Sequence, residues 1–441
     1  MPEPTEVAIF KRDGSIFGVY TTYGEARENA ESGDLIQIRA DLNEQQIVLL
    51  DGVDIWILPG VVVSNSSDDT ITDFDVNSSK EVHCKIYGEG IIKNTGGYSC
   101  VFLDNINSEL KVECDSFDTS TGNSDTIKIV RAKKFHLLCN TILSKGTAIN
   151  IAFDSQVVVE DINLNISRVE TGDTSTSPIV GTSIITYANG FIKIDELICK
   201  NRGHALLHKN GSVFARIKKI STTRISGNIV STVSSDGAGN DAKKLILYFD
   251  EILCIGSYDG IEHARGTGIF IGRRVYSSGA HALEIVGANT KGYVKCNELI
   301  HENTDSSASS VVVNDNIEEI TIDSNYIAGN SPQVVYSAGG STNPANFVIK
   351  NAKIKNTNSS SSSKGILIAN VFPKLTLNNV KIIAGTENGN IIALGSGTSL
   401  DVKNYGLFGN VSPGTNVNLK IGPKPGASGY NYQCIFDPDL N

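Results

Sequence analysis

The chain has one tryptophan, one methionine, few clusters of Lys and Arg, and no apolar run near the roughly 18 residues that a membrane span requires. Its formal net charge of −10 leaves no basic face for nucleic acid or an anionic membrane, so neither partner is expected. Eight cysteines in 441 residues include no CxxC pair and no Cys/His zinc spacing, which excludes a disulfide framework and gives no metal site. Gly-x-Ser-x-Gly, phosphate-loop and HExxH motifs are missing. The segment holding Asp236 and Asp241 lacks the alternating acidic ligands and closing Glu of a calcium loop. No cofactor is implied. The start, Met1-Pro-Glu-Pro-Thr-Glu6, has neither the basic nor the apolar region of a secretory signal. The expectation is a protein used without Sec export, or one whose signal has been removed.

What the chain does have is a repeat. Apolar-x-apolar-x-x-apolar-x-apolar begins at Ile55, Val82, Val112, Leu137, Val157, Ile192, Ala215, Leu247, Val294, Ile320, Phe347, Leu375 and Leu400, at intervals of 20 to 47 residues. Self-similarity at that spacing indicates a stacked fold in which no unit buries its apolar face without its neighbours. In Ile192-Lys-Ile194-Asp-Glu-Leu197-Ile-Cys199 one pair alternates as a strand, two polar residues bend the chain, and a second pair alternates again. A further short strand precedes most copies, as in Val101-Phe-Leu103, Ile127-Lys-Ile129, Leu283-Glu-Ile285 and Ile366-Leu-Ile368.

Three short strands per turn, rich in β-branched residues, describe a single-stranded parallel β-helix of 13–14 coils. One of these coils is expected around Ile269-Phe-Ile271, in the longest gap. Right-handedness follows from the usual hand of parallel crossovers. The fold class is therefore all-β. Cys84, Cys114, Cys139, Cys199, Cys254 and Cys296 fall on apolar slots and are expected as small buried hydrophobes, which suits a reducing compartment.

An open stack needs a lid over its first edge. Val7–Phe10 and Ile16–Val19 flank Asp13-Gly14 as a hairpin, and Thr22 opens a short helix through Ala26 that stops before Gly33. The expected organisation is a cap over 1–40, the β-helix over 41–410 and a Gly/Pro-rich tail over 411–441. Trp56, between inward Ile55 and Ile57, points outward and is expected to pack under the hairpin.

Tyr23-Gly-Glu-Ala26, Ala30-Glu-Ser-Gly33-Asp34-Leu-Ile-Gln-Ile38 and Ile47-Val-Leu-Leu50-Asp-Gly52-Val53-Asp-Ile55 resemble the entry segment of pectin lyase-like right-handed β-helix proteins, many of which are phage tail and tailspike proteins. The enzyme-associated Gly-x-Asp-Asp-Thr opening is absent, since Ser67-Asp68-Asp69-Thr70 runs into Ile-Thr-Asp rather than a helix start. No catalytic residue carries over by motif. The resemblance implies a virion protein (tail spike, fibre or decoration component), assembled in the host cytoplasm beside other virion proteins. It further implies a homotrimer and a bacterial surface polysaccharide as ligand. A depolymerase of the same fold, hydrolase or lyase, and a secreted or surface adhesin are the alternatives.

Ser-, Thr-, Asn- and Gly-rich segments at 167–181, 226–242, 256–268, 302–310 and 356–364 are expected as loops along one edge, with hydroxyls and amides to bond sugars. The middle third adds charge. Asp236, Asp241, His263, Arg265, Arg273 and Arg274 are the glycan-binding candidates, and Asp259 with Glu262 is the candidate carboxylate pair for acid–base chemistry. The competing reading is ordinary ion pairing between adjacent coils.

Overall fold

The computed structural model describes residues 6–421 except 74–80, 153–156, 173–181, 201–202, 224–230, 237–242, 257–258, 305–307, 314–316, 338–345, 361–362, 370–373, 384–389, 395–398, 404–405, 408–409 and 414–417. Alternating Ile and Val produce strands almost throughout, and these stack as a parallel β-solenoid of about ten turns with an N-terminal hairpin. Every phrase copy falls on or directly before a strand, so the phrase marks rungs of the stack. The chain divides into two compact units, Met1–Ile217 and Lys218–Asn441.

In the first unit the inward ladder runs Ile36, Ile55, Ile86, Val112, Leu137, Leu164 and Ile192, each residue paired with the next in parallel register. The upstream strands stack beside it as Ile71, Val101, Ile127, Ile149, Ile184 and Leu206. The second unit repeats the pattern with Leu247, Phe270, Val294, Ile322, Ile349 and Leu377, and the parallel strand pairing continues through Val402 to Ile421. Ile194 and Leu377 are fully buried, as a dry interior requires. The seven described cysteines are buried and form no disulfide, and burial pushes the thiols of Cys84, Cys100 and Cys139 up.

Stacking corrects the register of several copies. Val82 pairs with Ser108, and the ladder residue is Ile86; Val157 is exposed, and the ladder residue is Leu164. The partner of Val294 is Ile322 rather than Ile320. Because side chains alternate with period two, a phrase slides by an even number of residues and keeps the same faces inward, so only the hydrogen-bonded partner fixes it. The seven-residue slip at Val157 spans an irregularity between Val159 and Ile162. The coil expected at Ile269-Phe-Ile271 is present with the opposite phase: Phe270 is the buried residue.

Two further expectations change. Segment 256–268 is mostly strand, belonging to Asp259–Ser277, and its glycines mark tight packing. A Cβ on Gly260 would lie 2.6 Å from the Ala282 carbonyl, and one on Gly268 would lie 2.8 Å from the His263 ring. The repeat also continues past Leu407, since Asn418–Ile421 pairs with Ser399–Val402. Residues 422–441 of the expected tail lie outside the described residues.

The cap forms as its turn chemistry dictates. Strand β1 (Val7–Phe10) pairs antiparallel with β2 (Ile16–Tyr20) and, on its other edge, with β3 (Leu35–Ile38), which starts the parallel stack. Helix α1 (Tyr23–Asn29) opens with a capping box, Thr22 Oγ1 accepting from the Glu25 N–H at 3.2 Å and Glu25 Oε2 from the Thr22 N–H at 3.3 Å. Trp56 faces outward as expected, but its ring lies against Tyr87 of the next coil, centroids 6.1 Å apart and 13° from parallel.

Corners carry a buried polar column that the apolar phrase hides. Asn65 pairs with Asn94, and Thr119, Ser144, Thr171 and Cys199 follow one another in register. Thr119 shares a 2.6 Å hydrogen bond with Thr126, and Ser144 donates to the Thr147 carbonyl at 3.2 Å. In the second unit the column is Cys254, Ser277, His301, Gly329 and Asn356. These groups bond the backbone where the chain turns, which removes the cost of burying unpaired polar groups there.

Two predictions follow from the register and from a buried histidine. Leu164→Asp should destabilise the first unit by about 3 kcal/mol or more, while Val157→Asp should stay within about 0.5 kcal/mol of wild type in urea unfolding. His281, buried beside His301 with Nδ1 against the Ser309 backbone, has its pKa pushed down to about 4, chiefly by burial. The unfolded chain takes up that proton near pH 6.5 and the folded chain only near 4, so this contribution, intact above 6.5, is lost as pH falls through that window. Thermal melts of wild type and His281→Gln across pH 4–7 should therefore diverge, with the wild type steeper.

Candidate functional site

Outward positions of adjacent coils in the second unit stack as regularly as the inward ones. Strand Val233–Asp236 pairs with Ile261–Ala264, which pairs in turn with Leu283–Val286. This register sets Ser234, Glu262 and Glu284 in one column, each between two buried neighbours on its own strand. Asp259 sits two residues before Ile261, opposite His281 and fully buried.

Ser231 ties the group together. Its Oγ lies 3.0 Å from Asp259 Oδ2 and 2.8 Å from Glu262 Oε2, and Ser234 Oγ lies 3.4 Å from the same Glu262 oxygen. One hydroxyl has one proton, so it donates to only one of the two acids at a time. Asp259 is the acid whose charged form is disfavoured. Burial first, then the charges of Glu284 and Glu262, push its carboxyl well above the usual carboxylate range. Glu284 is also raised, by burial, but the hydrogen bond from Asp259 acts in the opposite direction and favours its charged form. The result is a buried carboxyl whose pKa is raised, packed beside two further carboxyl groups.

The expected pair, Asp259 and Glu262, is thus brought together, and Glu284, Ser231 and Ser234 complete it. A signal for Glu284 was present: Leu283-Glu-Ile285 and Ile261-Glu-His263 place a Glu between inward residues on consecutive coils. Other candidates separate. Asp236 ends its strand opposite Ala264, and Asp241 lies outside the described residues.

His263 is a correction. It is fully buried, edge-on to Phe270 at 5.7 Å, with Nε2 3.2 Å from the Lys291 carbonyl, so it belongs to the interior and offers nothing to a surface glycan. Arg265 leaves the ladder at a bulge, in left-handed backbone (φ 62°), its N–H donating to Thr290 Oγ1 at 2.8 Å. Arg273 and Arg274 lie on the bent half of the same strand. Arg274 ion-pairs with Glu251 at 3.4 Å and Glu298 at 3.5 Å on the flanking coils and covers the Tyr276 ring at 5.3 Å, while Arg273 reaches Glu251 at 3.7 Å. For these two the ion-pair reading holds.

Among the described residues no group of three His, Cys, Asp or Glu is arranged to hold a metal ion. Compared with protein-family profiles, curated proteins and solved structures, the chain matches none.

The proton assignment has a sign that can be measured. Asp259 keeps its proton when folded and loses it near pH 4 when unfolded, so stability declines as pH rises from about 4 toward the raised folded value. Asp259→Asn, which mimics the protonated acid, should remove that slope and raise the melting temperature at pH 7. A lower melting temperature for this variant at every pH would place the proton elsewhere.

Proposed function

We propose that this protein is a receptor-binding structural component of a phage particle, a tail spike, fibre or decoration protein, that recognises a bacterial surface glycan through outward groups of its β-solenoid. The observation supporting this reading is the pair of half-buried carboxyls Glu262 and Glu284, on consecutive coils of a rigid stack, backed by the buried Asp259, Ser231 and Ser234. Sugars present hydroxyl donors, and carboxyl groups held in place from behind accept them without reorganising on binding. The resemblance of the entry segment to tailspike proteins supports the virion setting, and three copies side by side fit that setting.

A depolymerase is the second reading, favoured by one feature. A carboxyl pushed well above the usual carboxylate range beside further carboxyls has the form of a general acid with its base. The experiment separating the two readings incubates purified protein with polysaccharide from the candidate host and follows reducing ends and the absorbance of unsaturated uronate, alongside binding. Binding without new ends or absorbance supports the receptor role, whereas time-dependent cleavage lost in Asp259→Asn supports the enzyme. In either case Glu262→Gln should weaken glycan binding by about tenfold, the loss of one charge-assisted hydrogen bond. Light scattering should give three times the chain mass; a monomer would remove the trimer from the proposal.

A further inference from the structure

The first unit carries a second outward cluster, of opposite charge. Strands Val159–Thr171 and Ile184–Lys200 pair so that Asn163 stands beside Phe191 and Asn165 beside Lys193. On the following strand, Ser212–Thr223, Phe214 stacks on Phe191 with centroids 5.4 Å apart and planes 19° from parallel. Alternation then sets Arg216, two residues after Phe214, alongside Lys193. The outer face is a small grid: Asn163, Phe191 and Phe214 in one column, Asn165, Lys193 and Arg216 in the next.

Three properties of this grid call for a ligand. Phe214 remains 39% exposed although it sits on a strand whose inward residues are fully covered, so the phenyl pair presents its apolar surface to solvent. Lys193 and Arg216 are like charges on adjacent strands, a juxtaposition that destabilises a sheet unless an anion lies between them. Neither makes an ion pair with another described residue, while carboxylates further along the same strands are engaged: Glu196 with Arg168 at 2.6 Å, and Glu170 with Arg168 at 2.7 Å and with Lys200.

We infer that this grid is a binding site for an acidic sugar, a pyranose carrying a carboxylate. The ring face lies on Phe191 and Phe214, the carboxylate between Lys193 and Arg216, and the hydroxyls reach the Asn163 and Asn165 amides. Aromatic stacking suits the C–H face of a pyranose, and the two cations select charge, which a neutral sugar does not reward. This rests on the glycan-recognition reading above and narrows it to acidic polysaccharide.

The test uses the full chain and calorimetric titration with tetragalacturonate, maltotetraose and an oligothymidylate of similar charge, at low and moderate salt. Tetragalacturonate should bind, more weakly as salt rises, and maltotetraose should bind at least about tenfold more weakly. Lys193→Gln with Arg216→Gln should reduce uronate affinity by about tenfold or more, and Phe214→Ala by a similar factor, with melting temperatures unchanged. Equal binding of the neutral tetramer, preference for the oligonucleotide, no uronate binding, or wild-type titration by the variants would each overturn the site. Binding to host cells separates the two claims. If it survives Lys193→Gln/Arg216→Gln and is lost in Glu262→Gln, glycan recognition stands and the acidic-sugar site falls.

Discussion

Backbone hydrogen bonding from coil to coil is the constraint on which the rest depends, because it joins each strand to two parallel neighbours and thereby fixes which residue lies above which. Once Ile55 is set on Ile86, and Ile86 on Val112, every other position of those coils is aligned as well. Inward residues form the dry ladder, corner residues form the hydroxyl and amide column, and outward residues form ungapped columns of surface chemistry. A one-residue slip would exchange inside for outside, so register and burial enforce each other.

The same constraint explains how a chain without a recognisable motif assembles chemistry. Residues separated by a whole coil in sequence become neighbours about 4.8 Å apart, on a frame too rigid to relax away from them. In the second unit this places carboxyl groups so close, and so far from water, that one of them retains its proton. In the first unit it sets two cations side by side next to exposed phenyl rings. Both arrangements are unfavourable in isolation, and the backbone ladder holds them.

Much of the fold was legible because the parts that specify it are local. β-Branched alternation, the Asp-Gly hairpin and the Thr22–Glu25 capping box each act within a few residues, and each produced the element its chemistry implies. Register was less legible. Val82, Val157 and Ile320 satisfy the phrase as well as Ile86, Leu164 and Ile322 do, and composition does not distinguish them. Segment 256–268 misled for a physical reason, since glycine serves both turns and close packing, and here Gly260 and Gly268 lie against neighbouring atoms. Of the candidate site, Asp259 and Glu262 were visible as nearby carboxyls and Glu284 only as a Glu between inward residues, while Ser231 gave no signal, because its proximity is a property of stacking.

By itself the sequence determined that this chain is all β, that its strands wind into parallel coils around an apolar interior, and that a short hairpin and helix begin it. Those outcomes depend on side-chain periodicity and turn chemistry, which are written residue by residue. Only the tertiary structure decided that His263 belongs to the core, that Arg274 serves Glu251 and Glu298, and that burial beside Glu284 and Glu262 raises the Asp259 carboxyl. Each of these is set by the residue one coil away, and that neighbour exists only after the coils have stacked.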